Sequence, residues 1–125
     1  KLNDTFDSLR NMGFNLEGRA LAAGEYGGLG LAVVEHEWSP DRSWAYGSNQ
    51  GSVELFLEDL QALWTDRLVQ LVCGEKLMAA VYTQWSDVET EINGLLTYNR
   101  HPKIPFNVMY KLSRAVLEST EACLG

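Results

Sequence analysis

A run of apolar residues between Ser52 and Cys73 decides most of what this chain can fold into. Val53, Phe56, Leu57, Leu60, Leu63, Trp64, Leu68 and Leu71 recur at spacings of three and four, which puts them on one stripe of a helix. Glu54, Glu58, Asp59, Gln61, Thr65 and Asp66 fall largely on the other side. Ser52 suits an N-cap, and Glu54 stands in the first turn, where the helix dipole favours an anion. A helix divided in this way must bury its stripe, so the rest of the chain is read for what covers it.

The strongest cover is LGLAVVEHEW, residues 29–38. Leu29, Leu31 and Val33 alternate with Ala32, Val34, His36 and Trp38, the period of a strand. Ser39-Pro40-Asp41-Arg42 places Pro at the second turn position, where its fixed φ suits a type I turn. SWAYGS (43–48) then reads as a return strand, with Trp38 and Trp44 facing each other across the turn. Upstream, LEGRALAAG is a weaker strand, and GEYGGLG holds four of the 11 glycines, as a flexible turn or a bulged strand entry.

Beyond the central helix, Gly74 marks a break or merely a bend in a continuous helix, and EKLMAAVYTQW resumes helical spacing through Leu77, Met78, Val81, Tyr82 and Trp85. Ser86-Asp87-Val88-Glu89 fits a capping box, with Val88, Ile92, Leu95 and Leu96 inward. Pro102 and Pro105 interrupt the pattern. Asn107 then caps a last helix whose buried side is Met109, Leu112, Val116, Leu117 and Cys123. At the start, Asn3-Asp4-Thr5 opens a short helix to Met12, with Leu2, Phe6 and Leu9 inward and Gly13 as its stop. The expectation is one α+β domain over 1–125. A small antiparallel sheet or hairpin (about 16–48) packs on a bundle of three to four helices (52–73, 75–97, 107–123), with a short N-terminal helix.

Charge narrows the function classes. Residues 1–51 carry 4 basic and 7 acidic groups, residues 52–97 carry 2 and 8, and residues 98–125 carry 4 and 2. An acidic middle argues against nucleic acid, which calls for clustered Lys and Arg, and suits a basic protein partner. No apolar run approaches the ~18 to 20 residues of a membrane span, and the start KLNDTFDSLR has no apolar stretch of a signal peptide. Cys73 and Cys123 read as buried free thiols, with a single disulfide as the alternative. A cytoplasmic setting follows from the first reading.

Candidate chemistry is sparse. On a strand, Glu35 and Glu37 would project to one side, roughly 6.5 to 7 Å apart, near the separation of a carboxylate pair that activates water. Glu35 and His36 are therefore weak catalytic candidates beside the plainer reading of a solvated strand end. No HExxH or CxxC accompanies His36 and His101, so no metal or other cofactor is expected. The glycines of GEYGGLG precede a strand, whereas phosphate loops precede a helix. No G-x-S-x-G occurs. Arg100, His101, Lys103, Lys111 and Arg114 form the basic cluster, a candidate anion site.

Two functional readings follow. The leading one is a non-enzymatic acidic interaction protein of bacterial type, with the size and charge of an inhibitor, an immunity protein or a chaperone. It would bind a basic protein or a second copy of itself through Trp38, Trp44 and Tyr46, with Glu54, Glu58, Asp59 and Asp66 nearby. The rival is a small-molecule binder or small enzyme with a pocket between hairpin and helices lined by Tyr26, Trp38, Trp44 and Trp85.

Overall fold

The computed structural model of this chain describes Ser8 and residues 10–13, 15–47 and 49–124. The short N-terminal helix expected from Asn3 to Met12 lies mostly outside these residues, although Ser8, Arg10 and Asn11 are helical and Gly13 follows at φ 83°. The first strand, β1 (Leu21–Gly27), is followed by the two-residue β2 (Gly30–Leu31) and β3 (Asn49–Gln50). A helical rod comes next, made of α1 (Val53–Gln61), a π-helical stretch (Ala62–Leu68) and α2 (Val69–Glu75). Strand β4 (Leu77–Thr83) and the long α3 (Phe106–Leu124) complete the elements.

The rod bears out most of the amphipathic stripe, although Val53 at its start is exposed. Phe56, Leu60, Leu68 and Leu71 are buried, and the Ser52 hydroxyl caps the first turn by accepting the Leu55 N–H at 3.3 Å. The rod does not break at Gly74. It runs one residue further and ends at Lys76, whose left-handed φ of 60° closes it. The rod and α3 run the same way. Phe56 and Leu60 share one core cluster with Met109 and Leu112 from the start of α3. Leu68 and Leu71 share the other with Val116, and a Cys73–Cys123 disulfide ties the two C-terminal ends together. The free thiols expected from the sequence are thus corrected to a disulfide. The side-by-side packing of the rod and α3 brings the two cysteines' Cα atoms to 5.6 Å, within bridging range.

The antiparallel hairpin on a three- to four-helix bundle is also corrected. Beyond the helical Ser8, Arg10 and Asn11, the described residues form the rod and α3 and two small parallel sheets, β1–β4 and β2–β3. Two local choices explain the lost hairpin. Glu35 takes φ 67° and His36 N–H closes a turn onto Val33 O at 2.9 Å, which ends any strand at 33. On the far side of the Pro40–Arg42 turn, Trp44 hydrogen-bonds Thr90 O and Ile92 N–H, both at 2.9 Å, instead of folding back on 29–38. The expected helix over 75–97 is instead β4 and an irregular segment. Leu77–Thr83 pairs with β1 through the small contacts Ala22↔Ala79 and Ala23↔Ala80, a case of tertiary pairing overriding the helix propensity of Leu, Met and Ala.

Residues 84–104 form the centre of the molecule without being helix or strand. The run from Ile92 to Thr97 is buried throughout, so every backbone polar group there needs a partner. Leu95 N–H reaches Gln84 O at 3.1 Å, Leu96 N–H reaches Trp85 O at 3.0 Å, and Lys103 N–H reaches Leu95 O at 3.0 Å. The Asp87 carboxylate accepts Gly94 N–H at 2.8 Å, so Ser86-Asp87 caps no helix and instead pins this knot. Gly94 has no room for a side chain: a Cβ would lie 2.3 Å from both Asp87 N and Ser86 C. Gly94→Ala is therefore expected to cost about 3 kcal/mol, the upper part of the overpacking range, read as a lower midpoint in urea unfolding with an unchanged slope.

Candidate functional site

Two places concentrate chemistry, one on the surface and one between the elements. The surface begins with loops that the knot holds together. His36 Nδ1 lies 2.8 Å from Asn99 Oδ1, and its ring packs on His101 with centroids 4.4 Å apart. Trp38 leans on Tyr98 at 4.9 Å. Trp44 and Tyr46 form a T-shaped pair at 4.9 Å. The Trp38–Trp44 pairing expected across a hairpin is replaced by these two contacts. Trp38, Trp44 and Tyr46 remain 57%, 42% and 73% exposed, so each aromatic is braced by a ring contact and still open to solvent over much of its surface.

Beneath them the knot holds a buried ion pair. Lys103 Nζ donates to Asp87 Oδ1 and to Ile92 O, both at 2.8 Å, with side-chain exposures of 0% for Lys103 and 3% for Asp87. Burial pushes the Asp87 carboxyl above its ordinary range and the Lys103 ammonium below its own, and the hydrogen bond between them opposes both shifts. Around the pair, Gln84 donates to Asn93 Oδ1 at 2.7 Å, Asn93 to Glu91 at 2.8 Å, and Ser43 to Glu37 at 2.7 Å. A charge sealed this well is structural in effect: it locks the irregular segment under the aromatic loops.

The remaining sequence candidates fall as follows. Glu35 is exposed in its turn and off the strand geometry that would have paired it with Glu37. The basic cluster is dispersed. Lys103 is buried in its pair, Arg100 bonds the Tyr98 carbonyl at 2.7 Å, Arg114 bonds Glu118 at 3.0 Å, and His101 stacks on His36, while Lys111 is exposed on α3. Glu54, Glu58, Asp59 and Asp66 are all exposed along the rod. The Glu54 carboxyl is held below its ordinary value by its own backbone N–H and the Ser52 hydroxyl. Asp59 accepts a hydrogen bond from the Gln50 side chain, which ties the acidic rod to the stretch carrying Tyr46. Among the described residues no cluster of three or more His, Cys, Asp or Glu could hold a metal ion.

The second place is a cavity of about 320 Å³ where the π-helical stretch, the β1–β4 sheet and α3 meet. Tyr26, Trp64, Tyr82 and Trp85 line it with Leu68 and Val116. Of the pocket expected from the sequence, Tyr26 and Trp85 are here, whereas Trp38 and Trp44 stand on the loop surface. Trp64 and Tyr82, which sequence reasoning placed in helical stripes, complete it; the T-shaped contacts Tyr26–Tyr82 (5.4 Å) and Trp64–Tyr82 (5.6 Å) depend on the sheet pairing that brings β1 to β4.

Burial pushes the Tyr26 phenol up to about 12, and burial with the neighbouring Tyr26 raises Tyr82 further. Since these folded values lie above the unfolded ~10, their contribution to stability is complete below pH ~10 and lost as pH climbs through the folded values. Urea midpoints are thus expected to fall between about pH 10 and 12, and Tyr26→Phe and Tyr82→Phe to flatten that fall.

No protein-family model matches this chain, and no curated protein matches it in sequence. No helix among the described residues is long and apolar enough to cross a membrane.

Proposed function

We propose that this chain is a non-enzymatic interaction protein that binds a basic protein partner through the loop surface of Trp38, Trp44 and Tyr46 and the acidic rod beside it. The observation that carries the reading is the exposure of those three aromatics on a base locked by a buried ion pair. Large aromatics held at low conformational cost are the residues that dominate protein interfaces. Exposed apolar groups on a rigid base mark contact sites more often than chance. The acidic side chains at Glu54, Glu58, Asp59 and Asp66 supply the charge that steers a basic partner.

Glu35, His36 and Glu37 do not converge: Glu37 accepts the Ser43 hydroxyl, His36 bonds Asn99, and Glu35 is exposed in its turn. The role suits an inhibitor, an immunity protein or a chaperone, and the Cys73–Cys123 bond favours an oxidising compartment over the cytoplasm.

The test compares the wild-type chain with a Trp38→Ala, Trp44→Ala, Tyr46→Ala variant as baits in extract from the source organism. Captures at about 0.01 M and about 1 M salt bracket screening lengths of about 30 and 3 Å. The expected result is a basic protein retained by the wild type at low salt and lost at high salt or with the variant. Identical captures by the two baits at both salts contradict the proposal.

A further inference from the structure

The cavity between the sheet and α3 has features that the interaction surface does not use. It reaches the low end of small-molecule pocket volumes. It opens beside the π-helical stretch, from which Trp64 and Leu68 both line it, and π-helical turns inside α-helices recur at functional sites. None of its lining side chains is charged. Above all, Trp64 Nε1 and the Tyr82 hydroxyl are buried from solvent with no hydrogen-bond partner. Such orphaned donors are rare in native structures, and each calls for an explanation. Both belong to side chains that line this one cavity, which gives them a common one.

We propose that this cavity binds a small, neutral, largely apolar molecule bearing a carbonyl-type oxygen, which accepts hydrogen bonds from Trp64 Nε1–H and the Tyr82 hydroxyl. Ring turns of Trp64 and Tyr82 bring both donors onto the ligand oxygen, while Tyr26 and Trp85 supply aromatic faces for its apolar body. An ionised ligand is excluded because no counter-charge lines the site. Trp38, Trp44 and Tyr46 lie outside the cavity, so this site and the proposed partner surface stand or fall separately.

Acetophenone and ethylbenzene are nearly the same size and differ in the acceptor oxygen, which makes them the probes. Titrations are followed in ¹H–¹⁵N spectra, with the Trp64 indole signal identified by its loss in Trp64→Phe. Acetophenone is expected to move that signal downfield and to bind about tenfold more tightly than ethylbenzene, as two neutral hydrogen bonds allow. Tyr82→Phe should keep ethylbenzene binding and reduce the preference to about threefold. Equal binding of the two probes overturns the proposal, as does an unmoved Trp64 signal at the solubility limit. Trp85 signals that shift with protein concentration but not with either probe also overturn it, by showing a second copy over the opening.

Discussion

Replacing Lys103 by methionine is expected to destabilise the fold by about 3–5 kcal/mol, because it strands the Asp87 charge in a site that water does not reach. Both side chains are buried, so the penalty is desolvation left uncompensated and not the loss of a surface pair, which would cost under about 1 kcal/mol. Two further results separate this account from simple loss of packing. Asp87→Asn with Lys103→Met should recover most of the loss. An amide oxygen still accepts the Gly94 N–H, and Ile92 O keeps the Leu31 N–H at 3.1 Å. The deficit of the single variant should also shrink in acid. Burial already raises the folded-state Asp87 value. With its cation gone the shift grows, so the carboxyl's contribution is complete below the ordinary range near pH 4 and lost as pH rises. Urea midpoints at pH 4 and 7 for the three proteins measure both effects.

Cutting the Cys73–Cys123 bond is expected to cost about 4 kcal/mol, from the loop entropy that a bridge across a sequence separation of 50 removes from the unfolded chain. The bond joins the C-terminal ends of two helices that run the same way, and α3 reaches that end only after the long irregular passage through 84–104. Cys73→Ser with Cys123→Ser should therefore lower the urea midpoint while the near-ultraviolet signal of the aromatic loops persists below the transition. Unchanged stability would mean that packing of Leu68, Leu71 and Val116 already holds the ends together.

How much of this was legible depended on whether the signal was local. The rod was, because Phe56, Leu60, Leu68 and Leu71 repeat at helical spacing and Ser52 opens it. Most of α3 was, through Met109 and Leu112, although it starts at Phe106 and not at an Asn107 cap. Strand β4 was not. Leu77, Met78 and Ala79 are good helix formers, and their partner β1 lies far away in the chain, among alanines and glycines with little strand character. The knot was hidden for another reason. Asp87, Asn93, Thr97 and Lys103 are polar and look solvated or capping, yet all four are buried. Only the mutual satisfaction of their hydrogen bonds, a property of three-dimensional arrangement, makes that tolerable. The same holds for His36 on His101 and Trp38 on Tyr98, contacts between loops more than 50 residues apart in sequence.

The proposed partner surface depends on residues 84–104 being a fixed centre despite having no regular secondary structure. Native-state hydrogen exchange reads this directly. The amides of Leu95, Leu96, Thr97 and Lys103, each bonded within the knot, should exchange as slowly as those of Leu60 in α1 and Leu112 in α3, at the rate set by global unfolding. If those four amides exchange orders of magnitude faster than the helices, the segment is a mobile loop and the aromatic surface has no base to stand on.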